Sequence, residues 1–515
     1  VELVWPGGDG IALANLGYQV VARTLQAIPG VRFAVGTPPR RQASRSLDWL
    51  AVSLSYENDY PAALGMIRDR GIPMEAATRD DRDPLVIVGG IAPSLNPEPL
   101  ADFADLFVIG EAEEALPELV DAWRSARAGS LGRAEMLAAL ARVEGTYVPR
   151  FYRPKVAGDG TFLGFTTSGG VPTRVRRRFV RNLDPFRADG ERPTEDAGFT
   201  DMILVEVGRG CARGCRFCAA GSFYRPIRHR GLEALLPVIE RRIAEGRRIG
   251  LLGASVFDHP GLPELARFLG LRGAPFSVSS LRADALDPEV LGLMARGGLK
   301  TVTIAPETGT ERLRWVIGKR ITDDQVLGAA RMVAEAGIPN LKLYFMIGLP
   351  GERTEDVDGI AGLVAGVRAE MLAVARGLGR IGTVGVSVSC FVPKAHTPFQ
   401  WHPMEGVATL KKKQRRLQSA LGRMPNVRAT FDVPRQAYVQ ALLSRGDRGV
   451  GAVLRVAAAT GDWKTALRAS PVDPDLTVLR ARGEREPFPW EVVDPGIRRA
   501  ALWREYQAAI GAAGE

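Results

Sequence analysis

The chain has 515 residues, 46% of them hydrophobic and 24% charged, the balance of an ordinary globular protein with material for several domains. Composition therefore excludes disordered, collagen-like and disulfide-scaffold classes, and no apolar run is long enough to span a membrane. The formal charge is +10 at pH 7, but 59 of the 68 basic residues are arginine and nine are lysine, so the excess reads as compositional unless it clusters. Residues 1–6 run into a strand-like stretch without the basic region and apolar core of a secretory signal, and the expected location is cytoplasmic.

From 1 to about 127, short apolar runs alternate with helical stretches, which predicts an α/β, Rossmann-like doubly wound sheet with helices on both faces. Strands are expected at 1–5, 31–35, 49–53, 85–88 and 106–109, and helices near 11–27, 59–70, 99–103 and 111–126. Ligands of such sheets bind beyond the strand carboxyl ends, here 6–10, 53–56, 89–94 and 110–114. Ser53, Gly89, Gly90 and Gly110 are the candidate contacts there, although glycines at these positions also serve simply to turn the chain. Residues 145–148 and 161–166 read as edge strands, and 181–200, rich in proline and charge, as a connector. A second alternation, with strands at 202–207, 249–252, 276–279, 301–304, 341–347 and 382–389, predicts a full or partial (β/α) barrel whose functional residues lie at the strand carboxyl ends. The remainder reads as a mostly helical extension, with a basic amphipathic helix over 411–423 and a terminal helix over 503–510. The expected domains are thus 1–128, a connector 129–200, 201–400 and 401–515.

The four cysteines are Cys211, Cys215, Cys218 and Cys390. Three of them within eight residues do not make a disulfide framework; in a large chain they point to metal or redox chemistry. The run Cys211-Ala-Arg-Gly-Cys215-Arg-Phe-Cys218 follows the expected strand 202–207, which puts three thiols at the carboxyl edge of the first barrel strand. Three thiolates can hold three irons of a 4Fe-4S cluster and leave the fourth open to a chelating small molecule. A structural zinc would need a fourth ligand, for which His229 and Cys390 are the candidates. Cys390 reads as a core residue or as a cavity-facing thiol.

This loop, with Phe217 before its last cysteine, resembles the radical S-adenosylmethionine (radical SAM) superfamily. The resemblance implies that Cys211, Cys215 and Cys218 ligate a 4Fe-4S cluster beside Phe217 and that the open iron takes S-adenosylmethionine. Gly253-Ala254-Ser255 stands where the family contacts the methionine amino group, departing from its usual Gly-Gly-Glu. Ser279, Ser280 and Arg282 end a strand where the family places ribose or carboxylate contacts, and 303–311 and 344–352, with Glu307 and Tyr344, resemble its later cofactor-facing strands. Tyr224, Arg225 and Arg228 either hold substrate and shield the cluster or pack locally, and Trp401 and His402 read as core.

The amino-terminal half carries Asn15-Leu16-Gly17, the run 86–90 followed by Asn96-Pro97-Glu98-Pro99-Leu100, and 108–114. It resembles the cobalamin-binding-type domain fused to many radical SAM enzymes. With 391–401 and Arg445-Gly446-Asp447-Arg448, the similarity covers nearly the whole chain and points to a largely uncharacterised clade. His229, His259, His396 and His402 all lie beyond that domain, so the Asp-x-His-x-x-Gly motif of histidine-ligated cobalamin proteins is absent.

The resemblance implies reductive cleavage of S-adenosylmethionine to a 5′-deoxyadenosyl radical, with cobalamin as a further cofactor and methylation of an unactivated carbon as the expected reaction. It also implies a one-electron reductant such as flavodoxin or ferredoxin. Methylthiotransferases share the barrel but hold a second cluster on three amino-terminal cysteines, which this chain lacks. Two alternatives stay open: cobalamin-independent radical modification, RNA included, and a non-catalytic sensor or scaffold with 411–423 gripping RNA. The sequence does not name the substrate.

Overall fold

The structure is a computed structural model that describes residues 1–6, 15–36, 47–193, 201–279, 281–378 and 382–514. The chain forms two compact units: Val1–Arg181 with Lys394–His396 and Val439–Ile497, and Asn182–Pro393 with Thr397–Tyr438 and Arg498–Glu515. Among the described residues no helix is long and apolar enough to cross a membrane.

The first unit is built on a six-stranded sheet of β1 (Glu2–Val4), β2 (Ala34–Gly36), β3 (Trp49–Ser53), β4 (Leu85–Gly89), β5 (Leu106–Val108) and β6 (Thr146–Tyr147), in the order 2-1-3-4-5-6. The first five strands run parallel and β6 closes the edge antiparallel to β5. Helices α1 (Leu16–Ala27), α2 (Tyr60–Asp69) and α3 (Ala112–Ala128) connect the strands. All five residues of β3 are buried, as crossover helices on both faces demand. Leu25, Trp49, Leu85, Ile87, Leu106, Leu116 and Leu119 share one apolar cluster, each fully buried aliphatic side chain contributing about 1.5–3 kcal/mol. The Asn15 side chain caps α1 by accepting from Tyr18 N at 3.0 Å; the expected helix start at 11–14 and loop residues 7–10 lie outside the described residues.

Three expectations are corrected by the structure. The helix expected at 99–103 is one 3-10 turn, Glu98–Leu100, because Pro97 and Pro99 remove two backbone donors from the segment. The segment 129–181, read as connector, instead packs in the first unit, supplying β6, the hairpin of β7 (Tyr152–Val156) with β8 (Phe162–Thr167), and β9 (Val175–Arg176). Residues 401–515 are not one extension: 439–497 pack in the first unit because buried polar groups there recruit them. Asn96 Nδ2 donates to the carbonyls of Ser444 (3.1 Å) and Gly446 (2.8 Å), and Arg448 reaches Glu98, which is fully buried, at 3.0 and 3.3 Å. The two motifs 96–100 and 445–448 are thus halves of one buried polar network. Likewise Glu57, 4% exposed, is held by Lys394 (2.5 Å), Ser444 (2.7 Å) and Gln440 (2.9 Å), which draws 394–396 into this unit.

The second unit carries β10 (Met202–Glu206), the short pair β11 (Gly208–Arg209) and β12 (Arg228–His229), β13 (Arg248–Leu252), β14 (Phe276–Val278), β15 (Thr301–Glu307), β16 (Asn340–Ile347), β17 (Val384–Cys390) and β18 (Val427–Phe431). Strands 10-13-14 and 15-16-17-18 form two parallel sheets, joined by a parallel bridge between Leu281 and Ile304. The β10 and β18 ends do not pair with each other, so the barrel is partial. Among the described residues it has seven strands rather than six: β18, Val-Arg-Ala-Thr-Phe, alternates apolar and polar residues as a half-buried strand does, but falls within 401–515, read as mostly helical. In β15, β16 and β17 every second residue is buried, and the intervening residues form a half-exposed face with Glu307, Lys342, Tyr344, Ser387 and Ser389. A closed barrel fills its interior with apolar side chains; this polar face leaves room for a ligand.

Candidate radical SAM cluster site

The three thiols sit in the loop between β11 and β12, at the carboxyl end of β10. Glu206, at that strand end, accepts from Arg209 (2.8 and 3.0 Å) and Arg230 (2.8 Å), which fixes the chain as it enters the loop. Arg213, inside the loop, pairs with Asp258 from the β13 side (Nε to Oδ2, 3.0 Å), and Ser255 Oγ donates to the same carboxylate at 2.5 Å. The Arg213 guanidinium holds the Asp258 carboxyl below the usual carboxylate range. Ser279 Oγ, after β14, donates to Gly253 O at 3.1 Å. Arg282 is bidentate on Asp284 (2.8 and 3.0 Å) and donates to Lys319 O at 3.1 Å. Lys319 Nζ lies 3.0 Å from Glu307 Oε1, at the end of β15. Arg213 Nη1 also lies 3.9 Å from Asp284 Oδ2, so charged and polar contacts link the cysteine loop to the β13 and β15 ends, while Ser279 ties the end of β14 to that of β13.

Glu307 and Lys319 both act on the cysteines. Burial pushes the Cys215 thiol up to about 11 against the pull of Lys319 and Arg282, with Cys218 and Glu307 adding to the rise. Burial also raises Cys218. Among the described residues no three Cys, His, Asp or Glu side chains converge on one point. Neither candidate for a fourth zinc ligand joins the thiols. The His229 ring packs on His259 at 5.0 Å, while Cys390 is 6% exposed on the apolar face of β17 with Gln414 Nε2 at 3.9 Å.

Of the residues singled out from sequence, Gly253, Ser255, Ser279, Arg282 and Glu307 lie at these strand ends and are joined by the contacts above. Ser280 lies outside the described residues. Phe217 packs into an apolar cluster with Leu313, Ile317, Leu349 and Phe399. Tyr344 is on the half-exposed face of β16, with Lys342 Nζ 4.8 Å from its ring centroid. Arg228 is 8% exposed and donates to Pro226 O at 3.3 Å. Trp401 is fully buried against Trp503 and Tyr506. In the first unit, Ser53 and Gly89 end neighbouring strands. Gly90 and Gly110 have packing reasons of their own: a Cβ would meet Leu54 O or Arg178 O at 2.1 Å. Sequence reasoning missed Asp258, Asp284 and Lys319. The available signal for Lys319 was rarity, since lysine is retained at only nine positions in an arginine-rich chain. A separate cavity of about 310 Å³, lined by Ile338, Pro339, Met371 and Val384, opens at the opposite, amino-terminal strand ends and brings no chemistry to the cysteines.

Residues 205–364, which include the cysteine loop, Glu307, Lys319 and Tyr344, match the family model described as the radical SAM superfamily. The chain carries a radical SAM domain. Residues 34–149 match a second model, described as radical SAM proteins, N-terminal. The cofactors of this superfamily are a 4Fe-4S cluster and S-adenosylmethionine. An uncharacterised protein of Methanocaldococcus jannaschii is 28% identical over 460 residues, covering 88% of this chain and 90% of that protein. The ribosomal protein uS12 methylthiotransferase RimO of Thermotoga maritima is 24% identical over 182 residues, 33% of this chain and 42% of that enzyme. Among solved structures, the radical SAM methyltransferase TsrM of Kitasatospora setae, with cobalamin and a 4Fe-4S cluster bound, is 19% identical. It aligns with a TM-score of 0.48 over 75% of this chain and 71% of that one.

Proposed function

We propose that this chain is an enzyme that cleaves S-adenosylmethionine reductively and directs the resulting radical to cobalamin-dependent methylation of an unactivated carbon. The observation that carries the reading is the three-thiol loop at a barrel strand end, tied through Arg213, Asp284, Arg282 and Lys319 to Glu307. Cys211, Cys215 and Cys218 would hold the cluster, since the three thiols share the loop between β11 and β12. When bound, the cluster supplies the electron that breaks a carbon–sulfur bond of S-adenosylmethionine. The chain's own task is placement and exclusion of water. Glu307 and Lys319 present opposite charges 3.0 Å apart, complementary to the methionine zwitterion, and Ser279 and Gly253 fix the neighbouring strand ends.

Cobalamin fits the amino-terminal sheet for a separate reason. Strand order 2-1-3-4-5 reverses between β1 and β3, and ligands of such sheets bind at that reversal, beyond the carboxyl ends. Asn15 Nδ2 lies 3.4 Å from Ser55 Oγ there, and Tyr56 is 43% exposed beside it. No histidine precedes His229; His396 packs in this unit but is 4% exposed. The RimO likeness does not extend to its chemistry by ligand supply, because the first unit contains no cysteine.

The test has two arms. Replacing any of Cys211, Cys215 or Cys218 by alanine is expected to abolish cluster absorbance and 5′-deoxyadenosine formation, and wild-type turnover in these variants would defeat the cluster assignment. Anaerobic reconstitution with hydroxocobalamin should leave near-stoichiometric cobalt on the chain after gel filtration. Cobalt near zero with the cluster intact would remove cobalamin from the reading and leave cobalamin-independent radical chemistry.

A further inference from the structure

Trp315 is 54% exposed, although its helix, Glu311–Val316, buries Leu313 and Val316 in an apolar cluster with Leu349, Phe391 and Phe399. A tryptophan left in water forgoes more burial energy than almost any other side chain could supply, and such residues are over-represented as anchors of protein interfaces. The Arg320 guanidinium carbon lies 5.8 Å from its ring centroid. Arg320 is itself exposed, and no carboxylate lies within ion-pair distance of it among the described residues.

This pair lies against the back of the cysteine loop. Arg216, the residue after Cys215, donates from its backbone N to Ile317 O (2.9 Å) and from its side chain to Trp315 O (3.3 Å) and Val316 O (2.7 Å). Gly318 comes so close that a Cβ there would sit 2.5 Å from Gly214 O. Ala212 and Gly214 are exposed at the loop surface. One peptide layer therefore separates the exposed Trp315 and Arg320 from the segment that bears Cys215.

We propose that Trp315 and Arg320, with Ala212 and Gly214, form the docking surface for an acidic one-electron carrier protein. The inference rests on the proposed cluster site and assigns the partner that reduces it. A substrate must reach the half-exposed face that carries Glu307, Tyr344 and Ser387, because atoms have to meet there. An electron needs only a short path through protein, which this packed turn provides. In the docked pair one electron leaves the reduced carrier and enters the cluster; no bond forms or breaks. An arginine with no ion-pair partner among the described residues, beside an exposed aromatic ring, favours an acidic partner at contact.

Trp315→Ala and Arg320→Glu test this in the reconstituted full chain, with flavodoxin and a ferredoxin as probes. The carrier Kd, read by fluorescence anisotropy at low and high salt, is expected to rise about tenfold or more in each variant, and the salt dependence to weaken in Arg320→Glu. Carrier-driven 5′-deoxyadenosine formation should fall in parallel, while dithionite-driven formation stays within about twofold of wild type. An unchanged Kd in both variants, or no carrier binding to the wild type, overturns the proposal. So does an equal fall in dithionite-driven turnover, which would place the two residues in the site itself. Loss of dithionite-driven turnover in the wild type would instead strike the cluster reading, and the Kd comparison would remain readable.

Discussion

Lys319 Nζ meets Glu307 Oε1 at 3.0 Å, with the two side chains only 9% and 12% exposed, and Glu307 holds a backbone φ of +72° at the end of β15. A left-handed glutamate in a strand is uncommon, and the β15–β16 register shifts between Ile304 and Glu307 to admit it. The shift turns a strand-end carboxylate toward the ammonium and the cysteines. Removing one partner of such a pair strands the other charge in a desolvated place. Lys319→Ala is therefore expected to cost about 3 kcal/mol in urea unfolding, and Lys319→Ala/Glu307→Gln to recover much of it. If the single variant kept full stability, the pair would not anchor this strand end.

Cys390 gives the opposite expectation to the three loop cysteines. It lies on the apolar face of β17, where burial pushes its thiol up to about 12, and no loop cysteine contacts it among the hydrogen bonds of the described residues. Cys390→Ala should cost about 1 kcal/mol for the small cavity while iron, sulfide and 5′-deoxyadenosine formation remain those of the wild type. Loss of iron in this variant would make Cys390 a ligand.

Many of the parallel strands were legible because their apolar runs end at glycine or proline, as β4, expected at 85–88, does at Gly89 and Gly90. The cysteine loop was legible because ligand chemistry restricts residue type as well as spacing. What stayed hidden depends on interactions between residues distant in sequence. Nothing local says that Arg448 returns to Glu98 or that Asp258 receives Arg213. Nor does it show that 439–497 leave the second unit for the first. Proline chemistry in 97–99 was visible but read too weakly against the apolar pattern around it.

His396 makes the first unit acid-sensitive. Burial lowers its pKa from 6.5 to about 3, with the Arg174 charge acting in the same direction. Between those values the unfolded chain binds a proton that the folded chain refuses, so stability is full above the unfolded value and is lost as pH falls through the window. By pH 5 the loss amounts to about 2 kcal/mol. Since His396 has φ +59°, His396→Asn is the substitution its backbone tolerates. Urea midpoints at pH 7.5 and pH 5 should fall less in that variant than in the wild type. An equal fall would assign the acid sensitivity to other groups.

The basic helix expected at 411–423 is Val407–Leu421, and its lysines are not equivalent. Lys413 turns inward, donating to Glu352 (2.6 Å) and to both oxygens of Glu405 (2.7 and 2.8 Å), while Gly348 N donates to Glu352 from the end of β16. Lys411, Lys412 and Arg415 remain exposed. Lys413→Ala leaves the Glu352 side chain, 2% exposed, without its cation and should cost about 3 kcal/mol. Lys411→Ala should change stability by no more than about 0.5 kcal/mol. A gel shift with RNA, if the helix binds it, would weaken on neutralising Lys411, Lys412 or Arg415, and its salt dependence would drop by about one counterion per neutralised residue. Lys413→Gln would then act only through stability. A salt slope that changed with Lys413 and not with Lys411 would reverse these assignments.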